Sequence, residues 1–452
     1  MKTNVRTLCG IAVLLFLAAG ASAQGLTVLA SFDGANGANP QAALAASGGT
    51  LYGTTYYGGS SNFGTVFAIS TNGGVITDLY SFNGAVYSMA TSNYVTTDGA
   101  YPAGGLVVSG NALYGTTYGG GTANAGTVFT VNTNGSNYAV FHNFTGGAGG
   151  ANPEAGLVMS GSTLYGTASA GGAEGDGSVF RIDTNGLNFT NIYSFRGGAT
   201  GANPQAGLLV SGSTLYGTTY GGGSSGQGMV FRVNTDGSGF SNVYSFSGGA
   251  NGANPQAGLL LSGNALYGTT YSGGGYFGTV FKVNTNGSGF TNFAFNGSNG
   301  ANPMAGLILS GSTLMGTAAN GGSAGWGTVF QVTTSGGNFS SLYAFTDGMD
   351  GAGSEAGLLL LGGTLYGTTQ ADDDYGYYGT VFSLPVPPVS VPLNIARQGS
   401  QVILSWTNSA NSAFVLQATT NLTGTFTNVT GAASPYTNSA TNKQKFFRLE
   451  NN

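Results

Sequence analysis

The sequence predicts an all-β protein: a seven-bladed β-propeller with four-stranded blades, followed by a small β-sandwich. Three observations carry that prediction. A unit of about fifty residues recurs seven times in register. Each unit holds four short β-rich runs separated by turn residues. The seventh unit lacks its fourth run, and a segment near the other end of the chain matches the missing piece.

From the N-terminus, Lys2 and Arg6 precede an apolar run from Leu8 to Ala19, and Ala21-Ser22-Ala23 stands before Gln24. That layout reads as a cleavable signal peptide over residues 1–23, too short and wrongly flanked for a stable span. The mature chain is therefore expected outside the cytoplasm, secreted or held in the periplasm or at the cell surface. Cys9, the single cysteine, falls inside this leader. Its loss leaves no thiol for disulfides, nucleophilic catalysis or metal binding.

Charged residues are 6% of the chain, against about 25% in ordinary globular proteins. A net charge of -5 with no block of Lys or Arg argues against nucleic acid, because phosphate binding needs clustered cations. The hydrophobic content of 41% and aromatic content of 12% suffice for a packed core despite 84 glycines. No later segment has the roughly 20 apolar residues that a membrane span requires, and no apolar tail follows Leu449 to anchor the chain.

The repeat is anchored on Asn-Pro-Gln-Ala-Ala-Leu at Asn39 and on related segments at Pro102, Pro153, Pro204, Pro255, Pro303 and Ser354, with steps of 62, 51, 51, 51, 48 and 51 residues from Pro40. Each copy continues through Leu-Tyr-Gly-Thr, altered once by Met315, and then through Gly-Thr-Val-Phe or a variant ending at Phe67, Phe129, Phe180, Phe231, Phe281, Phe330 and Phe382. In the fourth copy the β-rich runs are Ala206 to Val210, Thr214 to Tyr220, Met229 to Asn234 and Asn242 to Phe246. Thr-Asn-Gly or Thr-Asp-Gly joins the third run to the fourth, with Asn/Asp-Gly supplying the positive φ angles of a tight hairpin. Four hairpin-linked strands in about fifty residues make a propeller blade, the alternative being a β-solenoid. The ring is favoured because Leu26 to Phe32 resembles the fourth strand that is missing after Phe382. Closure of that kind hides edge strands.

The first copy is 11 residues longer than the common step, and the excess lies in Ala85 to Gly99, a loop insertion. The propeller is assigned to residues 24–383. A Pro-rich linker follows at 384–392, and the sandwich occupies 393–452, with strands at Val402 to Trp406, Phe414 to Gln417, Phe426 to Val429 and Phe446 to Leu449.

With Ala-Asn-Pro-Gln-Ala-Gly-Leu, Leu-Tyr-Gly-Thr-Thr and Gly-Thr-Val-Phe or close variants seven times in register, the chain resembles the Gloeo-Verruco (GloVer) tandem repeat family of exported bacterial proteins over roughly residues 26–383. The resemblance implies export and accessory C-terminal modules, and brings no catalytic residues to transfer. The Leu-Ser-Trp and Phe-Val-Leu-Gln strands are similar to those of a short fibronectin type III-like domain.

The search for chemistry begins with what is absent. His142, the one histidine, stands where other copies place Tyr80, Tyr193, Tyr244, Tyr343 and Phe293, so packing accounts for it, and His-based triads and zinc hydrolysis are set aside. Gly-rich stretches such as Tyr220 to Gly226 lack the Gly-Lys-Ser/Thr ending of a phosphate loop. In a propeller, the loop entering strand one and the loop joining strands two and three open on one face. The residue after the entry proline is Gln41, Ala103, Glu154, Gln205, Gln256 and Met304, with Glu355 at the equivalent place, a polar ring at the channel mouth. The second loop varies between copies: Asn62-Phe63, Glu174 and Asp176, Tyr276-Phe277, Trp326, then Asp372 to Tyr378 with Tyr375, Tyr377 and Tyr378. Variation on a constant frame suits recognition, and aromatics beside amides fit sugar rings and their hydroxyls. Asp372, Asp373 and Asp374 are the candidate Ca²⁺ ligands, although they lack EF-hand spacing. The expected function is non-catalytic binding of a polysaccharide or a cell-surface protein. Two alternatives stand beside it: a lyase or hydrolase using Glu154, Glu355 or these aspartates, and a structural envelope or matrix component.

Overall fold

The computed structural model describes residues 25–83, 86–89, 93–95, 98–371 and 378–386, and six strands of the C-terminal segment within 394–451. Seven four-stranded antiparallel sheets form the blades. In the fourth blade the strands are Leu209–Ser211, Thr214–Thr219, Met229–Asn234 and Ser241–Ser245. The first strand starts later than the sequence predicts because Ala206 belongs to the entry loop, where its carbonyl accepts a bond from Thr167 of the preceding blade at 3.0 Å. The third-to-fourth turn also differs from expectation. Within the Asn/Asp-Gly pair only the glycine takes positive φ, as at Gly237 (φ 88), while the residue before it serves as an acceptor, Asp236 taking the Ser238 N–H at 2.9 Å. This is a glycine-bulged hairpin pinned by an Asx turn.

Blades meet through the repeated motifs. In Gly-Thr-Val-Phe, successive side chains point to opposite faces of the sheet, and both faces are covered by neighbouring blades. Val66 packs toward the second blade and Phe67 toward the seventh, each with 0% exposure. That two-sided burial explains why Val-Phe recurs in all seven copies. Facing each such phenylalanine on the adjacent strand is the glycine of Leu-Tyr-Gly-Thr. A Cβ on Gly217 would lie 2.6 Å from Phe231 Cζ, and the same obstruction recurs at Gly53, Gly115, Gly166, Gly268, Gly316 and Gly367. The threonine after this glycine then bridges to the next blade, from Thr54 Oγ1 to the Gly104 carbonyl at 3.2 Å through to Thr317 and Ala356 at 2.8 Å.

Closure is visible at the seventh seam. Thr27–Ser31 pairs antiparallel with Thr380–Pro385 as the fourth strand of blade seven. Phe32 then meets Phe67 edge-on at 5.0 Å. Six equivalent edge-on pairs mark the other seams, from Phe82–Phe129 at 5.4 Å to Phe345–Phe382 at 5.4 Å. Seven apolar clusters, each shared by two consecutive blades, make up the propeller core, and the one built on Phe32, Leu44, Phe67 and Val381 joins the last blade to the first. Around the axis the entry segments approach backbone to backbone: a Cβ on Gly156 would sit 2.7 Å from the Gly105 carbonyl oxygen, and one on Gly258 3.3 Å from that of Gly207.

The insertion in the first copy contains a two-stranded hairpin, Val86–Ser88 with Asn93–Val95. Asp98 fastens its return: one carboxylate oxygen accepts from the Tyr80 hydroxyl at 2.7 Å and the Asn83 amide N–H at 2.9 Å.

His142 takes the packing role read from the sequence. Its ring stacks on Phe189 at 3.4 Å and 9°, as Tyr193 stacks on Phe240 at 3.9 Å. Burial holds its pKa down at about 4, against an ordinary 6.5. A base depressed in the folded state lets the unfolded chain bind the proton first, so the histidine contributes full stability above pH 6.5 and loses it as the pH falls toward 4. Thermal melts at pH 7, 5 and 4 should therefore show His142→Tyr losing less stability on acidification than the parent, the comparison cancelling the opposite effect of buried carboxyls. Parallel curves would refute this.

In the C-terminal segment, Asn394–Gln398, Gln401–Ser405 and Tyr436–Ser439 form one antiparallel sheet, and Thr427–Asn428, Phe414–Thr419 and Phe446–Asn451 form another. Leu404 and Leu416 are buried. Two of these strands, Asn394–Gln398 and Tyr436–Ser439, escape sequence reading because they are polar and carry no apolar alternation. Residues Gly25–Leu309 and Thr313–Val386 form one compact unit, while Pro387–Asn452 falls in another. Among the described residues no helix is long and apolar enough to cross a membrane.

Candidate functional site

The two loop sets lie on one face, as expected. In each copy the residue before the entry proline gives its N–H to the carbonyl of the variable loop of the preceding blade: Tyr101 to Phe63 at 2.8 Å, Asn203 to Asp176 at 2.8 Å, Asn302 to Phe277 at 2.8 Å, Gly353 to Trp326 at 3.0 Å and Asn39 to Tyr378 at 2.9 Å. The variable residues thus stand over the blade seams. Proline 40, 102 or 153 then delivers the next residue toward the axis.

A cleft of about 460 Å³ opens on this face across the seventh, first, second and third blades, lined by Gln41, Tyr56, Tyr57, Ala103, Tyr118, Glu154 and Gln370. Three of these, Gln41, Ala103 and Glu154, are members of the predicted polar ring. Gln205, Gln256 and Glu355 hold equivalent half-buried places after Pro204, Pro255 and Ser354, away from the cleft lining. The predicted aromatics are not gathered into the cleft either. Phe63 lies next to it, 5.5 Å from Tyr101. Tyr276 (90% exposed), Phe277 and Trp326 are exposed on blades five and six, which do not line the cleft, and Tyr378 is half-buried against Gly34. Asp372, Asp373, Asp374, Tyr375 and Tyr377 lie outside the described residues, and no group of three metal-ligating side chains occurs among those described.

Sequence reading missed Tyr56, Tyr57, Tyr118 and Gln370. Tyr56, Tyr118 and Gln370 directly follow the second strands, Thr50–Thr55, Ala112–Thr117 and Thr364–Thr369. A signal existed: after the Thr-Thr or Thr-Ala that ends the constant motif, the next residue runs Tyr, Tyr, Ser, Tyr, Tyr, Ala, Gln around the ring. Strand polarity places that position beside the entry loops, at the channel mouth.

The electrostatics are those of a polar, uncharged pocket with one acid. Burial raises the pKa of Glu154, and the Ser169 hydroxyl 2.7 Å from Oε1 partly offsets this. Ser169 also sits 2.8 Å from the Asn152 carbonyl. A hydroxyl has one proton to give, so Ser169 shares it between the Glu154 carboxylate and the Asn152 carbonyl. Tyr56 is pushed up to about 12, first by burial and then by Tyr57, Tyr118, Tyr101 and Glu154 around it. Its ring stacks on Tyr101 at 5.2 Å and meets Tyr57 edge-on at 4.8 Å. The Tyr56 phenol is thus a neutral donor at physiological pH. Glu355 is likewise raised by burial.

The profile of the Gloeobacter/Verrucomicrobia repeat matches residues 85–277, 170–382 and 250–439 in overlapping windows. The chain belongs to this repeat family. No curated protein matches the Gloeobacter/Verrucomicrobia repeat chain significantly. Among solved structures, a GH74 xyloglucanase from Xanthomonas campestris is similar at 13% identity and a TM-score of 0.53, over 84% of this chain and 59% of that one. An oligogalacturonate lyase from Vibrio parahaemolyticus is similar at 12% identity and a TM-score of 0.49, over 80% of this chain and 94% of that one. The repeat chain spans less than two thirds of the xyloglucanase, and at such identity the likeness speaks for the fold alone.

Proposed function

We propose that this repeat protein is an exported, non-catalytic binding protein that holds a polysaccharide against the cleft face of its propeller. The observation that carries this reading is the cleft lining: three tyrosines, two glutamines, an alanine and a single carboxyl. Tyrosine faces stack on the apolar C–H faces of sugar rings, while amides and phenols bond their hydroxyls without desolvating a charge. Glycoside hydrolysis, by contrast, uses a pair of carboxyl groups flanking the bond, and among the described lining residues Glu154 stands alone. The export half rests on the leader read at residues 1–23, and N-terminal sequencing of the protein made in its bacterial host should start at Gln24.

Purified residues 24–452 should bind one class of glycan on a broad array and release no new chain ends from it. Tyr118→Ala and Glu154→Gln should each weaken that binding about tenfold, the usual scale for a buried interfacial anchor. Absence of binding to every glycan would overturn the proposal. New reducing or unsaturated ends, abolished in Glu154→Gln, would replace it with an enzyme.

A further inference from the structure

Two departures from the repeat fall in one loop, and both bear on the cleft. The first is Ala103, which stands where Gln41, Gln205 and Gln256 stand in other copies. The cleft opens over this shortened side chain, the smallest of the seven at this position of the repeat. The second is Tyr101, two residues earlier. Five other copies place asparagine here with φ between 53 and 56, and the seventh places Gly353. Asparagine tolerates the left-handed conformation, and its side chain donates to the end of the second strand of the preceding blade, as Asn152 does to the Tyr118 carbonyl at 3.0 Å and Asn254 to the Tyr220 carbonyl at 3.2 Å. Tyr101 adopts the same conformation at φ 59 with a bulky side chain and no amide to give. Such strain persists where the surroundings impose it, often at binding sites. What occupies the ring instead is the tyrosine cluster: Tyr101 stacks on Tyr56 at 5.2 Å and meets Tyr57 edge-on at 5.6 Å. Both partners line the cleft.

Among the described residues the lining contains no cation and one carboxyl. A uronate or a sulfated sugar would bring an anion toward Glu154 with no Lys or Arg to meet it, and desolvating that anion would oppose binding. We infer that the Tyr101-Pro102-Ala103 loop turns this one place in the ring into a subsite for an uncharged pyranose: Ala103 supplies the space, and Tyr101 is a positioning residue that holds Tyr56 and Tyr57 as its wall. This rests on the sugar-binding reading above and names its substrate class.

The test titrates residues 24–452 with cellohexaose, mannohexaose and chitohexaose against hexagalacturonate, by calorimetry, alongside Ala103→Gln and Tyr101→Asn. A neutral hexamer should bind at least tenfold more tightly than hexagalacturonate. Ala103→Gln should lose at least tenfold in affinity with an unchanged melting temperature, since three other copies already accommodate glutamine there. Tyr101→Asn should also lose affinity, yet melt no lower than the parent, because asparagine relieves the strained backbone and regains its bond; a residue with only a structural role would show the reverse pattern. Equal or tighter binding of hexagalacturonate, or parental affinity in Ala103→Gln, would overturn this inference and leave the sugar-binding reading standing. Failure of the parent to bind any glycan would remove both.

Discussion

Removing residues 25–32 is expected to turn a closed ring into a self-associating chain. The strand Thr27–Ser31 covers the outer edge of Thr380–Pro385, and Phe32 fills the seventh of seven aromatic seams with only 3% exposure. Without them the third strand of blade seven presents unpaired N–H and C=O groups along a full strand, the condition that drives edge-to-edge pairing. The seam between the last and first blades also loses its phenylalanine, a deletion that costs about 3–5 kcal/mol where a core ring is simply truncated. Sedimentation of the shortened protein should show dimers or larger species and a lower melting temperature. A synthetic peptide of residues 25–36 added in trans should restore the sedimentation behaviour of the parent. A shortened protein that sediments and melts like the parent would show that the ring does not depend on this strand.

Gly217→Ala should be strongly destabilising although it adds a single methyl group. The added carbon would lie 2.6 and 2.8 Å from Phe231 ring atoms and 2.9 Å from Leu208 Cδ2. Phe231 has nowhere to go: it is fully buried, met edge-on by Phe195 at 5.1 Å and covered by Phe240 at 6.0 Å. Gly217 itself lies within a regular strand and has no unusual backbone angle, so the penalty is purely one of space. Overpacking of this kind costs about 1–3 kcal/mol, sometimes more. Denaturant unfolding of Gly217→Ala beside Gly212→Ala separates the effects. Gly212 sits in a first-hairpin turn at φ 57 with open space around it, so its substitution reports backbone conformation alone. A Gly217→Ala protein as stable as the parent would mean that the Phe231 ring relocates.

The ring was legible in the sequence because each motif has a local duty that repeats. Val-Phe reports a strand buried on both faces, and the glycine of Leu-Tyr-Gly-Thr reports the ring lying over it. The likeness of Leu26 to Phe32 to a fourth strand was enough to close the circle, because Phe32 is chemically the same wedge as Phe246. The site was read only in part. Gln41 and Glu154 were found because they follow a proline whose position in a blade is fixed. Tyr56 and Tyr118 were missed because a tyrosine at the end of a β-rich run looks like more strand, and only the strand's direction shows that it faces the channel mouth. Trp326 and Tyr276 were chosen for their variability, which marks exposed loop residues outside the cleft. The strain at Tyr101 is invisible in sequence until the left-handed backbone of its asparagine counterparts is known.

The pairing of Thr27 with Ser383 also has a consequence in time. Six blades are hairpins whose strands are near neighbours in the chain and can form as soon as their fifty or so residues are available. The seventh joins positions more than 350 residues apart, and contacts of such separation form slowly because a long loop must be closed before they are rewarded. The segment made first is therefore the last to find its place, and until it arrives the nascent protein is a curved row of finished blades with one unfinished end.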